Sequence, residues 1–357
     1  MPVTRKNTTL AERLLAHYDR HRRTLPWRAL PGEAANPYAV WLSEVMLQQT
    51  TVAAVAPRFA RFLERWPTLE ALAAADEADV MAEWAGLGYY SRARNLIACA
   101  REVTEQHGGV LPGEEAALRK LPGIGDYTAA AIAAIAFGQR AVVVDANVER
   151  VVSRLFAIDE PLPGAKKAIR AATDSITPDA RAGDFAQGLM DLGSSICTVR
   201  GPQCLICPLR VDCEAHALGD PERYPVKAAK KAKPERRGTV FWVERDGQVA
   251  LVTRPPKGML GGMRALPDDG WHARADGDAT APFEADWRTR RGAVRHGFTH
   301  FTVILDLALC RDAPADMLPA GILDVDWWPV EHLGDAGLPT LFAKAARMFL
   351  EMRENAA

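Results

Sequence analysis

Two carboxyl groups in apolar surroundings carry the first chemical signal. Glu44 lies in VWLSEVMLQQT, flanked by Val40, Trp41, Val45 and Leu47, and Asp145 ends the apolar run AVVVD ahead of ANVERVVSRLF. A glutamic acid desolvated by such neighbours holds its proton toward the working range of a general acid. An aspartate at a helix start stays ionised, because the dipole and the free amides favour the anion. One proton donor and one fixed negative charge suit cleavage of a glycosidic bond, whose transition state is oxocarbenium-like. Each residue also has a plainer reading: a glutamate on an exposed helix face, and an aspartate that merely caps its helix.

The cysteines carry the second signal. Four of the six fall within CTVRGPQCLICPLRVDC, spaced Cys197-x6-Cys204-x2-Cys207-x5-Cys213. Thiols so close together in a reducing compartment point to a metal rather than to disulfides. Four thiolates close well around zinc, but zinc ribbons usually present two Cys-x2-Cys knuckles and only one is here. The unequal loops also suit a 4Fe-4S cubane, which takes a thiolate at each corner. Cys99 and Cys310 stand alone in apolar runs, as buried small hydrophobes would.

A third signal is LPGIGDYTAAAIAAIAF, residues 121–137. Gly123 and Gly125 permit a tight turn and close backbone approach, and the helix that follows turns its first amides outward, which suits a phosphate. The alternative is an ordinary corner between two helices.

These residues need a scaffold, and the pattern supplies one. From about residue 8 to 217 apolar residues recur at three- and four-residue spacing, punctuated by Gly and Pro, which predicts an all-α region. Residues 219–238 hold seven Lys and Arg against three Asp and Glu, with Pro and Gly and no apolar period, as a solvated linker does. From 239 the period becomes two: TVFWVERDGQVALVTR reads as a hairpin turning on Asp-Gly, FTVILDLALC and ILDVDWWPV as further strands, and LPTLFAKAARMFLEM as a closing helix. Residues 239–357 are therefore expected to form a separate α+β domain. The chain is 48% hydrophobic with a formal net charge of −1, so overall charge gives no support to nucleic-acid binding. No apolar run is long enough to span a membrane and the N-terminus has no signal-peptide pattern, which places the protein in the cytoplasm.

Taken together, PWR (26–28), WLSEVMLQQT (41–50), GLGYYSRARN (86–95), LPGIGDYTA (121–129), VDANVERV (144–151) and the cysteine set resemble the adenine DNA glycosylase (MutY) family, within the endonuclease III-like helix-hairpin-helix superfamily. The resemblance implies a multidomain protein. A six-helix barrel module, with the helix-hairpin-helix at about 114–137, and a module holding one 4Fe-4S cluster would make up residues 1–218, the active site lying in the cleft between them. It further implies a monomeric, nucleoid-associated repair enzyme that binds double-stranded DNA and excises adenine mispaired with 8-oxoguanine or guanine. Glu44 would protonate the base and then handle water, Asp145 would stabilise the oxocarbenium, Asn147 would orient sugar and water, and Tyr127 would support Glu44. Arg28 and Gln187 would line the base pocket, and Gln49, Thr50, Leu87 and Tyr89 would wedge into the duplex. Gly123 and Gly125 would hold the DNA backbone, and Cys197, Cys204, Cys207 and Cys213 would ligate the cluster. For Leu87 and Tyr89 the residues alone favour a place in the core.

The C-terminal region resembles the Nudix-like domain of the same family, with Phe298, Thr299 and His300 matching a Phe-Ser-His loop that reads 8-oxoguanine; Thr for Ser keeps the hydroxyl. The acidic Arg-Glu-x2-Glu-Glu helix of metal-dependent Nudix hydrolases has no counterpart, so hydrolysis is not expected here. An endonuclease III-type lyase would need a Schiff-base lysine where Tyr127 stands. A non-catalytic damage sensor would have no use for Glu44 and Asp145.

Overall fold

The computed structural model describes residues 8–84, 86–228, 232–255, 258–298, 300–311, 313 and 325–354. The chain divides into two compact units, Met1–Ala229 and Lys230–Ala357. Among the described residues no helix is long and apolar enough to cross a membrane.

The first unit is helical and has two cores. One gathers Trp41, Phe59, Phe62 and Trp84 with the alanines of 129–134. The other gathers Val148, Val152, Phe185, Leu189 and Leu192 with Leu14 from the first helix, Leu10–His21. Helix Pro37–Met46 starts with Pro37 behind Asn36, whose side-chain oxygen accepts from the amides of Tyr38 and Ala39, satisfying donors that a helix start leaves free. Every residue from Tyr38 to Met46 is buried. This helix has no solvent face, and Glu44 goes inside with it.

Helix Asp126–Phe137 is short-sided, with Thr128 to Ala134 all buried, and ends on Gly138 in the left-handed conformation. Its small residues admit helix Ala182–Ser195 at very short range. A methyl group placed on Gly183 would lie 2.4 Å from the carbonyl oxygen of Ala134. Helix Ala146–Leu155 begins at Asp145, and its apolar face packs on the second core.

The stretch 219–238 is shorter as a free connection than its composition suggests. Pro221–Arg223 form a turn, Arg223 pairs with Asp159 at 2.8 Å, Tyr224 is buried, and the first strand of the next unit already begins at Glu235.

The second unit is a mixed sheet of β1 (Glu235–Arg245), β2 (Gln248–Thr253), β3 (Arg264–Ala265), β4 (Arg288–Gly297), β5 (Thr302–Cys310) and β6 (Val325–Pro329). The order is β3-β2-β1-β5-β4, with β6 on β2 and β1 parallel to β5. Asp246 and Gly247 both have positive φ, 49° and 74°, as a two-residue turn between twisted strands requires. Helix Thr340–Glu354 covers one sheet face through Phe342 and Phe349, and Phe283 and Trp287 pack on the other beside Phe241.

Replacing Gly183 by Ala must push two helices apart or distort one. The expected cost is about 1–3 kcal/mol, read as a lower urea midpoint with an unchanged slope.

Candidate active site

Between the two helical cores lies a cleft of about 830 Å³. Its walls include Arg28, Glu44, Gln49, Thr50, Gly123, Gly125, Tyr127, Asp145, Asn147 and Gln187. These ten come from five separate stretches of sequence, and each is among the candidate site residues singled out from the sequence.

Glu44 is only 7% exposed. Burial raises its pKa to about 7; the Tyr127 hydrogen bond and the charge of Arg28 oppose the rise, while Asp145 adds to it. Tyr127 donates its hydroxyl to Glu44 Oε2 at 2.7 Å. Burial, and then the charges of Glu44 and Asp145, keep that phenol well above its ordinary value, so it remains a donor. Glu44 is thus a buried acid that is half protonated near neutrality, and the exposed-face alternative is excluded.

Asp145 does cap its helix. One oxygen accepts from the Val148 amide at 2.7 Å, the other from Asn147 Nδ2 at 2.9 Å. Capping and chemistry coexist, because an oxygen fixed by amides is an oriented negative charge. Asn147 is held in turn: its Oδ1 accepts from Arg150, whose guanidinium also reaches the carbonyls of Gly193 and Cys197 at 2.6 and 2.8 Å. Gly193 leaves room for this, since a methyl group there would lie 2.7 Å from Asn147 Cβ.

Two helix turns beyond Asn147, the buried Arg154 donates to the carbonyls of Thr198, Val199 and Tyr224, at 2.6, 3.1 and 3.1 Å, and stands 3.4 Å from Cys197 Sγ. Cys197, Cys204, Cys207 and Cys213 are unpaired and line one cavity with Arg154 and Arg210. Among the described residues no three His, Cys, Asp or Glu side chains are grouped as ligands of a single ion. Four thiols around a common space, fixed by an arginine, fit a polynuclear group that takes one thiolate at each corner.

The turn ahead of helix Asp126–Phe137 divides its two glycines. Gly123 has φ 74°, and a Cβ there would lie 2.7 Å from Asn95 Cβ. Gly125 has an ordinary extended backbone, φ −90°, and open space where a side chain would go. The helix that starts at Asp126 has no side-chain cap, so its first amides are free for an anion.

Other expected residues lie elsewhere. Leu87 is buried in the first core, so its side chain is not a wedge in this conformation; the core reading describes it. Tyr89 is 56% exposed. Tyr89 and Gln49 both take the left-handed conformation, φ 49° and 56°, which is uncommon for residues with a side chain and concentrates at functional sites. In the second unit Phe298 stacks on Phe301 at 4.7 Å and His300 is exposed. Thr299 lies outside the described residues. Cys99 and Cys310 are buried, as expected.

Four residues escaped the sequence reading. Arg92 donates to the carbonyls of Val45, Met46, Leu87 and Gly88 and to the Thr50 hydroxyl, tying the loops of Gln49 and Tyr89 together. It sits inside GLGYYSRARN, but nothing in its type announces the clamp. Arg150 and Arg154 follow Asn147 at helical spacing, and Asp191 follows Gln187 by one turn; that periodicity was the available signal.

Comparison with known proteins gives a consistent set of matches. Residues 42–178 match the family model of HhH-GPD superfamily base excision DNA repair proteins, and residues 239–348 that of the NUDIX domain. The adenine DNA glycosylase of Homo sapiens is 33% identical over 94% of this chain and 73% of its own length. That of Mus musculus is 34% identical over 98% and 79%, and that of Mycolicibacterium smegmatis 42% identical over 67% and 81%. Among solved structures, a thermostable thymine-DNA glycosylase superimposes with a TM-score of 0.53 at 30% identity, over 58% of this chain and 95% of that one. A trapped endonuclease III–DNA covalent intermediate shares the fold, with a TM-score of 0.50 at 24% identity over 58% and 94%.

Burial of Glu44 has a measurable cost. The folded chain keeps this proton up to about pH 7, whereas an ordinary glutamate releases it near 4.5. The folded state therefore binds more protons in that window, and stability falls as pH rises through it, by about 3 kcal/mol in all. Glu44→Gln removes the titration. It should be the more stable chain by about that amount at pH 8.5 and by little at pH 4, measured by urea unfolding at both.

Proposed function

The chain belongs to the adenine DNA glycosylase family, and from that premise we propose that it hydrolyses the N-glycosidic bond of adenine paired with 8-oxoguanine, or with guanine, in duplex DNA. It is a base excision repair glycosylase by family; the mispair and the residue roles are the proposal. The observation that carries it is a buried, protonatable Glu44, bonded to Tyr127, in one cleft with the fixed carboxylate of Asp145.

Adenine as an anion leaves poorly, so protonation of a ring nitrogen comes first, and Glu44 is the group able to supply it near neutral pH. The bond from the base nitrogen to the sugar C1′ breaks, its electron pair stays with the now neutral base, and positive charge develops on the sugar. Asp145 stabilises that charge. Glu44, now a carboxylate, takes a proton from water as the oxygen bonds to C1′, and the acid is restored. Asn147 orients sugar and water while Arg150 holds its amide. Arg28 and Gln187 meet the extruded base. Gly123, Gly125 and the uncapped helix behind them grip a phosphate, and Gln49, Thr50 and Tyr89 enter the duplex beside it.

Cys197, Cys204, Cys207 and Cys213 would hold a 4Fe-4S cluster. When bound it cross-links the loops from 197 to 213 and presents them to DNA, and it takes no part in hydrolysis. The second unit would read 8-oxoguanine through Phe298, Thr299 and His300.

A lyase acting through a Schiff base requires an amine, and among the described residues no lysine lines the cleft. Single-turnover assays on duplexes with adenine opposite 8-oxoguanine and with thymine glycol separate the two readings. Release of adenine without borohydride-trapped adduct is expected; a strong adduct would instead establish the lyase. Glu44→Gln and Asp145→Asn should each bind the duplex and lose at least about a hundredfold in excision rate, and full activity in Glu44→Gln would remove that residue from the mechanism. The purified protein should absorb visible light as iron–sulfur proteins do, whereas a colourless protein with one zinc per chain would overturn the cluster.

A further inference from the structure

Asp191 lies one turn beyond Gln187 on helix Ala182–Ser195 and binds Arg28, which lines the main cleft. It receives Arg28 as a two-bond fork, Nη1 to Oδ2 at 2.7 Å and Nη2 to Oδ1 at 2.8 Å. It also receives Arg23, through Nε at 2.6 Å and the backbone amide at 3.2 Å. The Arg28 side chain is 6% exposed, so the fork is sealed from water. Behind it a second cleft, of about 370 Å³, is lined by His17, His21, Arg22 and Arg23.

Among the described residues, Arg28 and Arg23 are the two cations that line the main cleft, which also holds Glu44. A free guanidinium there would find in Glu44 a carboxyl to pair with, and pairing would turn the acid into a carboxylate. Asp191 engages Arg28 along its Nη1/Nη2 edge with two parallel bonds, which fixes where the guanidinium points. We propose that Asp191 is a positioning residue that withholds Arg28 from Glu44, so that Glu44 keeps its proton while Arg28 stays at the edge of the base pocket. The inference rests on the excision chemistry given above.

The charges around these groups are few. Glu44 is faced by Tyr127 from helix Asp126–Phe137, by Asp145 from the start of helix Ala146–Leu155, and by Arg28. Asp191 is faced by Arg28 and Arg23, and across the rear cleft by His17, Tyr18 and His21 on the first helix and by Arg22 just past its end. Burial, then His21 and Arg20, depress His17 below its ordinary value, with Asp191 opposing.

The test is the pH profile of single-turnover adenine excision opposite 8-oxoguanine, from pH 5.5 to 9, for the native chain, D191N, D191E and R28Q/D191N. Each profile is repeated with His17→Gln and His21→Gln to remove the imidazoles. In the native chain the rate should fall as pH rises through about 7. D191N should come within about threefold of it at pH 5.5 but show this fall about one pH unit lower, and so lose about tenfold at pH 8. D191E, which restores the charge, should recover the native midpoint, and R28Q/D191N should lose the downward shift because the intruding cation is gone.

An equal loss at every pH, a midpoint that is unmoved or higher, or a shift that persists in R28Q/D191N would each overturn the role. Circular dichroism at pH 5.5 and 8 checks folding, and should D191N not fold, Asp191→Ser is read by the same rule. A native chain that releases no adenine would sink the excision reading itself, whereas native excision with an unmoved D191N profile sinks only the role of Asp191.

Discussion

A carboxylic acid that must keep its proton at neutral pH cannot be placed on a surface. The ordinary glutamate is ionised there, and only removal from water reverses this. The burial of helix Pro37–Met46 on all sides meets that requirement for the role proposed for Glu44. Once Glu44 is inside, its surroundings must neither ionise it nor leave it unbonded. Tyr127 answers the second need, since a phenol with a raised pKa donates a hydrogen bond without bringing a charge. A lysine in that place would meet the bonding need and defeat the first.

In the proposed mechanism Asp145 has the opposite requirement, and its surroundings differ accordingly. Its two oxygens are given an amide from Val148 and an amide from Asn147, both from the helix it starts. Such donors stabilise the anion and need no reorganisation when positive charge develops nearby. The same helix carries Arg150 and Arg154 toward the four cysteines. One wall of the cleft thus desolvates a carboxyl group, while the other surrounds a carboxyl group with protein amides.

What could be read from the sequence follows from how local each signal is. The Asp-Gly turn between β1 and β2, the helix start at Asp145 and the glycine turn are written in a few adjacent residues, and their local structure agrees with them. The apolar neighbours of Glu44 hinted at burial but could not establish it, because a helix with one exposed face can carry the same residues. Leu87 and Tyr89 differ by two positions in one motif, yet one is buried in the core and the other exposed; only the packed loops distinguish them. Arg92 and Asp191 were missed for a related reason. Their partners are carbonyls and guanidinium groups brought from distant stretches, which no spacing rule reports.

The two glycines of the turn answer to different masters. Gly123 is demanded by the protein itself, through its left-handed backbone and the side chain of Asn95 beside it. Gly125 has a backbone any residue could adopt and nothing nearby to collide with. If Gly125 approaches the DNA backbone as proposed, a chain that never met DNA would still keep the first glycine and would be free to lose the second. Drift at position 125, with position 123 unchanged, would therefore be the mark of a descendant that had kept the fold and given up its ligand.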